Sequence, residues 1–263
     1  MLAKKLGLSL PTIKTVGSGG GAAYSNVYSL DFDGTNDYVT FGDADVFSID
    51  NTGTGFSISA WIKTTGTADT ILAKNELSAT EAEYDFGVGR DGKLNFYVYG
   101  GGGGGVFQYL RVDTPTVHDD NWHHVAVTFD LADATTSIII YIDGVLYNAA
   151  SAGTTYGSNG TWASPSNTTA PLQMGRKGTV EYFGGNIDEV AIYQAKLSGA
   201  DVLAIYNSGT PTDLSGESNL VGYWRNGDTA GTSVYPTIED YSSNSNDGTM
   251  TNMASGDIVT DVP

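Results

Sequence analysis

Two carboxylates in a strand-like run are the first residues whose types and spacing could do chemistry. Glu83 and Asp85 alternate along the chain, and alternate residues of a β-strand point to the same face of a sheet. Two carboxyl groups on one face of a cleft are the acid and the nucleophile of a retaining glycosidase. The run continues into Gly87 and Val88, which carry no carboxylate. Glu83 and Asp85 are therefore predicted to be solvent-facing strand residues, at most half of a catalytic arrangement.

Other motifs that suggest catalysis lack the neighbouring residues or elements that the chemistry requires. Segment 87–92 matches the glycine pattern of a dinucleotide-binding loop. That loop binds a pyrophosphate only when a helix N-terminus follows it, and here a strand-like run follows. His123 and His124 are adjacent, so on a strand they point to opposite faces and cannot chelate one metal ion together. The sequence contains no cysteine and no Gly-x-Ser-x-Gly segment, which excludes thiol catalysis, zinc-thiolate sites and a nucleophile elbow. The chain is predicted not to be an enzyme.

Three tyrosines are the candidate ligand-binding residues. Tyr97 and Tyr99 alternate in one strand-like run, Tyr109 lies in the next, and six glycines from Gly100 to Gly105 separate the two runs. A hairpin of this kind places the three rings on or near one face. Tyrosine rings stack on sugars and their hydroxyls form hydrogen bonds, so the set predicts a glycan platform. The alternative is a row of ordinary strand tyrosines without a ligand.

The elements that would position these residues are mostly strands. Apolar and other residues alternate from Phe56 to Lys63, which predicts a strand with one buried face, and the same period recurs around Phe96 and Val127. Asp-Gly pairs between such runs suit hairpin turns that need a positive φ. One helix is predicted, over 198–207, with Ser198 as N-cap and an apolar stripe of Val202, Ile205 and Tyr206. Many short strands with hairpin turns indicate a sandwich or a barrel.

Charge and composition limit the possible partners. The 263 residues include 30 acidic and 12 basic side chains, for a formal net charge of −18. This charge argues against binding to nucleic acid or to anionic membranes. It favours divalent cations and positively charged partners, or it serves only to keep the protein in solution. No run approaches the roughly 20 apolar residues of a membrane span.

Four segments carry a family resemblance. They are Tyr28–Val39, Phe56–Lys63, Trp122–Asp130 and Gly185–Tyr193. In this order they resemble the laminin-G-like (pentraxin-like) branch of the concanavalin A-like lectin/glucanase superfamily, over about residues 28–206. The resemblance implies an all-β, two-sheet antiparallel jelly-roll sandwich with one short helix. It also implies binding to surfaces or glycans more often than catalysis.

The resemblance extends to two kinds of site. The glucanase branch carries two glutamates and an aspartate at alternate positions of one strand, and the second glutamate is missing after Glu83 and Asp85. Related domains often hold calcium where the first strand meets a late strand, which here implies a site formed by Asp33, Gly34, Asp37 and Asp188. The alternative is that the aspartates make turns and accept backbone hydrogen bonds.

The C-terminal part is displaced relative to that family. Residues 220–225 and 240–250 resemble a segment that precedes the Phe-Asp-Gly strand in many members. Either they fold back beside residues 28–41, as in a circular permutation, or they complete a neighbouring subunit, because exposed strand edges recruit partners. The first alternative is preferred, since domain termini usually lie close together. The domain is thus predicted to span 24–263, with 219–263 closing the sheet begun by 28–41.

The N-terminal residues predict attachment to something larger. Residues 1–23 combine two lysines, several leucines and a Gly/Ser run, which is typical of a docking arm on a flexible tether. They resemble the starts of structural proteins of tailed phages. The resulting hypothesis is a non-catalytic interaction module on a phage virion, present in multiple copies as a head-decoration or tail-associated protein and joined to other virion proteins through the arm. The alternatives are a carbohydrate-binding bacterial adhesin, secreted or on the cell surface, and a degenerate glycoside hydrolase.

Overall fold

Two antiparallel β-sheets pack face to face in the computed structural model. The structure describes residues 24–49, 55–78, 80–101, 105–131, 137–161, 164–228 and 235–263. The predicted N-terminal arm and residues 102–104 of the glycine run lie outside these ranges. The prediction of an all-β, two-sheet jelly-roll sandwich with one short helix is confirmed over the described residues.

The first sheet has eight strands within the described ranges, in the order β10-β9-β8-β3-β13-β1-β17, with β14 paired to β13. Its members are β1 (Ser29–Asp33), β3 (Phe56–Thr64), β8 (His123–Phe129), β9 (Ile139–Ile142), β10 (Val145–Tyr147), β13 (Gly184–Tyr193), β14 (Leu220–Trp224) and β17 (Ile258–Val259).

The second sheet has nine strands in the same ranges, in the order β11-β7-β6-β5-β4-β12-β2-β16-β15. Its members are β2 (Tyr38–Thr40), β4 (Asp69–Asn75), β5 (Ala82–Val88), β6 (Leu94–Tyr99), β7 (Phe107–Val112), β11 (Thr154–Asn159), β12 (Leu172–Met174), β15 (Thr237–Ile238) and β16 (Gly248–Thr251).

The main core lies between the sheets, where the inward-facing half of each alternating strand meets the other sheet. Ile58 and Val127 from the first sheet belong to the same buried cluster as Phe86 and Phe96 from the second. Hairpin turns connect neighbouring strands where the sequence predicted them. In the β9–β10 turn both Asp143 and Gly144 have positive φ, 50° and 76°, the combination that a type I′ turn requires.

The prediction that the Phe56–Lys63 strand buries only one face is wrong. Ser57 and Ser59 are fully buried on the outward side of β3, and Trp61 is 4% exposed. The Ser57 hydroxyl donates to the Ala195 carbonyl at 2.8 Å, in the segment between β13 and the helix. The helix covers the rest of this face, where the Trp61 and Tyr206 rings stack at 6.0 Å between centroids.

The predicted helix is present as α1 (Gly199–Tyr206). Ser198 is its N-cap: the Ser198 hydroxyl accepts the Asp201 backbone N–H, and the Asp201 carboxylate accepts the Ser198 backbone N–H, which together form a capping box. Val202 is fully buried beneath the helix, in a small cluster with Ala126 and Tyr141. The helix thereby shields the outward face of β8 and β9 from solvent.

The C-terminal strands pair within the chain, and they enter both sheets. β16 lies beside β2, with Met250 opposite Val39, while β17 lies beside β1 and β14 beside β13. They do not close a single sheet, because residues 28–41 themselves supply β1 to one sheet and β2 to the other. Trp224 is fully buried, with its ring 4.1 Å from that of Phe41 between centroids.

The described part of the chain has no helix suited to crossing a membrane, since none is both long enough and apolar enough.

Candidate functional site

The three candidate tyrosines form a row on the outward face of the second sheet. Tyr97 and Tyr109 are directly opposite in the β6–β7 ladder, and their rings stack at 4.9 Å between centroids with an angle of 20°. Tyr99 follows on the same face of β6, with its ring 6.4 Å from that of Tyr97. Alternate residues of β6, such as Phe96 and Val98, point into the core. All three rings are half-buried, so each offers part of its surface to a ligand.

A fourth ring and a glycine complete this row. Phe107 lies opposite Tyr99 in the ladder, and its ring centroid is 5.7 Å from that of Tyr97. On the far side, Gly157 of β11 pairs with Tyr109. A Cβ atom at position 157 would collide with the Tyr109 ring. The ring can lie in its present position because residue 157 has no side chain. We call these four rings the tyrosine row: the three tyrosines Tyr97, Tyr99 and Tyr109, together with Phe107.

An open pocket of about 420 Å³ adjoins the tyrosine row. It lies over β4, β5 and β6 and is closed at its sides by the β5–β6 turn and by the segment between β12 and β13. We call this concavity the sheet pocket. Tyr97 and Tyr99 line it together with charged and polar residues: Asp69, Asp85, Arg90, Asp91, Asn95, Arg111, Lys177 and Glu181. Aromatic rings and groups that donate or accept hydrogen bonds therefore share one concavity.

Asp85 is the polar centre of the sheet pocket. Its Oδ2 accepts the Tyr99 hydroxyl at 2.7 Å and the Asn75 amide at 3.1 Å. Lys177 Nζ lies 3.7 Å from Oδ1 and 2.8 Å from Glu181, so the lysine links the two carboxylates. Burial raises the pKa of Asp85, and Lys177 and the Tyr99 hydroxyl act against that increase. The network fixes the Tyr99 ring and holds Lys177 over the pocket.

The prediction that Glu83 and Asp85 face solvent is wrong. Glu83 is fully buried and Asp85 is 4% exposed. Glu83 Oε1 lies 2.8 Å from Lys74 Nζ and accepts the backbone N–H of Thr168 at 2.8 Å, so the segment around Thr168 lies over it. Lys74 is fully buried as well. Glu83 thus belongs to an internal ion pair instead of an open cleft.

Asp33 and Asp37 build a turn. Asp33 Oδ1 accepts the backbone N–H groups of Thr35, Asn36 and Asp37 at 2.8, 3.0 and 3.3 Å, and Asp37 Oδ2 accepts the Asp33 N–H at 3.0 Å. Burial acts to raise the pKa of Asp33, but the three N–H donors outweigh it and lower that pKa. Gly34 has φ of 70°, the left-handed conformation that the turn needs.

Asp188 does not join Asp33, Gly34 and Asp37. Asp33 is opposite Gly184 in the β1–β13 ladder, and Asp188 is four residues further along β13, about 13 Å away at the rise of a strand. Asp188 is fully buried, and its Oδ1 accepts the Glu189 N–H at 2.8 Å. The described residues contain no group of three or more histidine or acidic side chains arranged to hold a metal ion. Asp188 thus lies apart from the other three residues in this structure, and calcium binding stays a prediction.

Sequence reasoning missed the sheet-pocket residues that come from elsewhere in the chain. Lys177 and Glu181 flank a turn closed by the Lys177–Val180 bridge, and no sequence signal connects them with Asp85. Arg111 and Phe107 did carry a signal, because both share the period-2 spacing of Tyr109 and therefore its face. Extending the tyrosine pattern by two residues in each direction would have found them.

Comparisons with known proteins agree with this architecture. A laminin-G-type family model, described as Concanavalin A-like lectin/glucanases superfamily, matches residues 33–203. Among curated proteins, no sequence matches the chain.

Solved structures resemble the chain at low sequence identity. A protein of Bacteroides ovatus, described provisionally as a carbohydrate binding protein, superposes with a TM-score of 0.61 at 18% identity, over 90% of this chain and 60% of that one. The chain thus spans less than two thirds of that protein. A heptameric SAP-like pentraxin from Limulus polyphemus gives 0.49 at 14% identity, over 70% and 84%. Domain 4 of an extracellular arabinanase from Geobacillus stearothermophilus, solved with arabinotriose, gives 0.46 at 19%, over 68% and 76%.

Proposed function

This chain belongs to the laminin-G-like family of the concanavalin A-like lectin/glucanases superfamily, and from that premise we propose that it is a non-catalytic carbohydrate-binding module. The glycan lies on the outward face of the second sheet, with sugar rings against the tyrosine row and hydroxyls in the sheet pocket. The observation that carries the proposal is the stack of Tyr97 on Tyr109 at 4.9 Å beside a polar concavity of about 420 Å³.

The chemistry of this face suits a sugar. A pyranose ring has an apolar face that packs on an aromatic ring, and hydroxyl groups at its edge that need both donors and acceptors. The tyrosine row supplies the rings. Asn95, Arg111 and Lys177 supply donors, while Asp91 and Glu181 supply acceptors, all lining the same pocket. Carboxylates and cations are nearly balanced here, although the whole chain carries a charge of −18, so a neutral or weakly charged glycan meets little repulsion.

The carboxylates of β5 support binding without hydrolysis. A retaining glycosidase needs two carboxyl groups about 5–5.5 Å apart that both reach the substrate. Glu83 is enclosed with Lys74 and Thr168 and reaches no open surface. Gly87 occupies the next outward position of the strand. Asp85 is therefore the single carboxylate of β5 that lines the sheet pocket.

A glycan array with full-length protein, followed by titration of the best ligand, tests the proposal. Tyr97→Ala is expected to weaken binding roughly threefold to tenfold, because a ring contact of this kind contributes about 0.5–1.5 kcal/mol. Tyr28→Ala is the matched control, since Tyr28 is 38% exposed at the start of β1, in the other sheet. Equal losses in both variants, or no glycan bound on the array, would refute the proposal.

Contacts through rings and hydroxyls do not require a metal ion. Glycan affinity is therefore expected to be the same in buffer with calcium and in buffer with a chelator. A loss of affinity on chelation would instead show that calcium takes part in glycan binding.

We propose further that the module acts on the surface of a phage particle. The support is the resemblance of residues 1–23 to the starts of phage structural proteins, together with the basic, glycine-rich character of that segment. Deleting residues 1–23 is expected to leave the melting temperature and the glycan affinity unchanged and to abolish incorporation into particles. Unchanged incorporation of the shortened protein would contradict the docking role without touching the glycan proposal.

A further inference from the structure

A second, larger pocket lies on the opposite side of the molecule, under the helix that covers the first sheet. It has a volume of about 550 Å³ and is bounded by the end of β13, the segment 195–197, helix α1 and the loop 212–219. Tyr193, Asp201, Ile205, Leu214 and Glu217 are among its lining residues. It shares no residue with the sheet pocket, so its ligand is a separate question.

The hydroxyl of Tyr193 has no hydrogen-bond partner among the described residues, although the side chain is only 1% exposed. A buried hydroxyl without a partner is costly in a native structure, and such a group calls for an explanation. Burial raises the pKa of Tyr193, and the charges of Glu217 and Asp201 raise it further. The hydroxyl is therefore protonated and lies within the field of two carboxylates that line the same pocket.

The charged groups of this pocket are mostly acidic. Asp201 is engaged by the helix N-cap, where its carboxylate accepts from Ser198, and Asp213 Oδ1 accepts the Ser215 N–H at 3.0 Å. The cation Lys196 lies 3.2 Å from Asp130. Glu217 is exposed, and its carboxylate makes no hydrogen bond or ion pair with the described residues. One free carboxylate thus lines the same pocket as Tyr193, the residue whose buried hydroxyl has no partner among the described residues.

The remaining wall is apolar. Leu197, Ile205 and Leu214 line the pocket, and Leu214 and Ile205 are 3% and 7% exposed in a small cluster with Tyr193. An alkyl chain that ends in a cation satisfies all of these groups at once, because its stem packs on apolar walls while its head binds oxygens. An ammonium group donates three hydrogen bonds and accepts none.

We propose that this pocket binds an alkylammonium group, with Tyr193 Oη and the Glu217 carboxylate as acceptors and Leu197, Ile205 and Leu214 around the alkyl stem. Two sources share this chemistry: a free aliphatic diamine and the lysine side chain of a partner protein.

Calorimetric titration of the full chain at moderate salt tests this site with two probes, 1,5-diaminopentane and Nα-acetyl-lysine N-methylamide. Saturable one-site binding of either probe is expected, and 1-pentanol, which lacks the cation, is expected not to bind. Tyr193→Phe should weaken binding by about tenfold or more, the effect of losing a hydrogen bond to a charged group. Glu217→Gln should weaken it about threefold, as expected for an exposed ion pair.

Controls separate the site from general attraction to an acidic protein. Glu76→Gln removes an exposed carboxylate in the second sheet's loops and should leave the affinity unchanged. Glycan affinity should be unaffected by Tyr193→Phe, since the two pockets share no residue. The two probes identify the source: binding of the diamine alone indicates a free amine, and binding of the lysine derivative indicates a protein side chain.

Three results would overturn the proposal. They are the absence of saturation with either probe, an unchanged affinity in Tyr193→Phe, and an equal loss in Glu217→Gln and Glu76→Gln. Because Tyr193→Phe keeps the ring, and Glu217 is exposed, melting temperatures close to wild type are expected for both variants. The loss of affinity then reports on contacts to the ligand.

Discussion

The outward face of the first sheet is covered by its own chain, whereas that of the second sheet is open over β6 and β7. Tyr193 and Tyr141 on the covered face are 1% and 3% exposed. Tyr97, Tyr99 and Tyr109 on the other face are half-buried and stack on one another. The same residue type at outward positions thus packs under a helix in one sheet and forms a surface in the other. Coverage, and not residue type, decides which tyrosines offer a ring face to a sugar.

The largest expected effect comes from the C-terminal segment that closes the sandwich. Trp224→Ala should lower the free energy of unfolding by about 3–5 kcal/mol, because the buried ring leaves a cavity beside Phe41 and Phe47. Tyr109→Ala, on the open face, should cost less than about 1 kcal/mol. Chemical denaturation of both variants compares the two regions directly. Equal costs would show that the open face is packed as tightly as the core.

The next effect should appear as a pH dependence that arises from a buried carboxyl group of the first sheet. Burial raises the pKa of Glu189 to about 7 from an ordinary 4.5, although the Tyr223 hydroxyl and Arg225 act to lower it. Between these values the folded protein binds more protons than the unfolded chain, so stability falls as pH rises from 4.5 through 7.

Glu189→Gln tests this contribution together with that of the neighbouring Asp188, whose pKa is raised by burial and by the charge of Glu189. The difference in unfolding free energy between wild type and variant should change across pH 4.5–7, with wild type losing stability relative to the variant as pH rises. Subtraction cancels opposing groups such as His124, whose pKa burial lowers to about 4. A difference that stays constant with pH would mean that Glu189 ionises normally in the folded protein.

A smaller effect is expected from the helix cap. Ser198→Ala removes the hydroxyl that accepts the Asp201 N–H at 3.2 Å and should cost about 1 kcal/mol. Hydrogen exchange should rise over α1 and over the outward face of β8 and β9, while β6 and β7 keep their protection. Ser158→Ala, at an exposed position of β11, is the control. Uniform loss of protection over both sheets would contradict a local cover.

The smallest expected change in stability comes from Gly157→Ala, within about 0.5 kcal/mol, because the flexible end of the Tyr109 side chain can move away from the new methyl group. The displaced ring should weaken glycan binding by a factor similar to Tyr97→Ala. Aromatic chemical shifts of Tyr109 and a glycan titration measure the two effects. A normal affinity together with a displaced ring would remove Tyr109 from the binding surface.

Local sequence patterns predicted the strands and the helix. Strands show an alternation of apolar and other residues, and the helix shows a capping residue and an apolar stripe. The alternation around Ile58 gives the inward face of β3 correctly. It could not show that Ser57 and Ser59 are buried too, since small polar residues suit both a solvent face and a covered one. The cover comes from residues 195–206, more than 130 positions away.

The candidate site divides in the same way. The spacing of Tyr97, Tyr99 and Tyr109 places them on one face. The contact between Asp85 and Lys177 was not predictable, since the fold alone brings Lys177, with its partner Glu181, to this strand. Calcium was expected where Asp33, Gly34, Asp37 and Asp188 meet, but the register places Asp33 opposite Gly184, four residues from Asp188. Register depends on pairing between distant segments, which a single sequence does not display.

The pairing of β16 with β2 has a consequence for synthesis on the ribosome. Val39 pairs with Met250, which is 211 residues later in the chain (250 − 39). Synthesis of that stretch takes about 10–40 s at about 5–20 residues per second. During that time one edge of β2 has no strand beside it, and exposed edges recruit other chains. Stalled nascent chains that end before residue 248 are therefore expected to be cleaved readily by protease and to bind chaperones, and chains released after residue 251 are not.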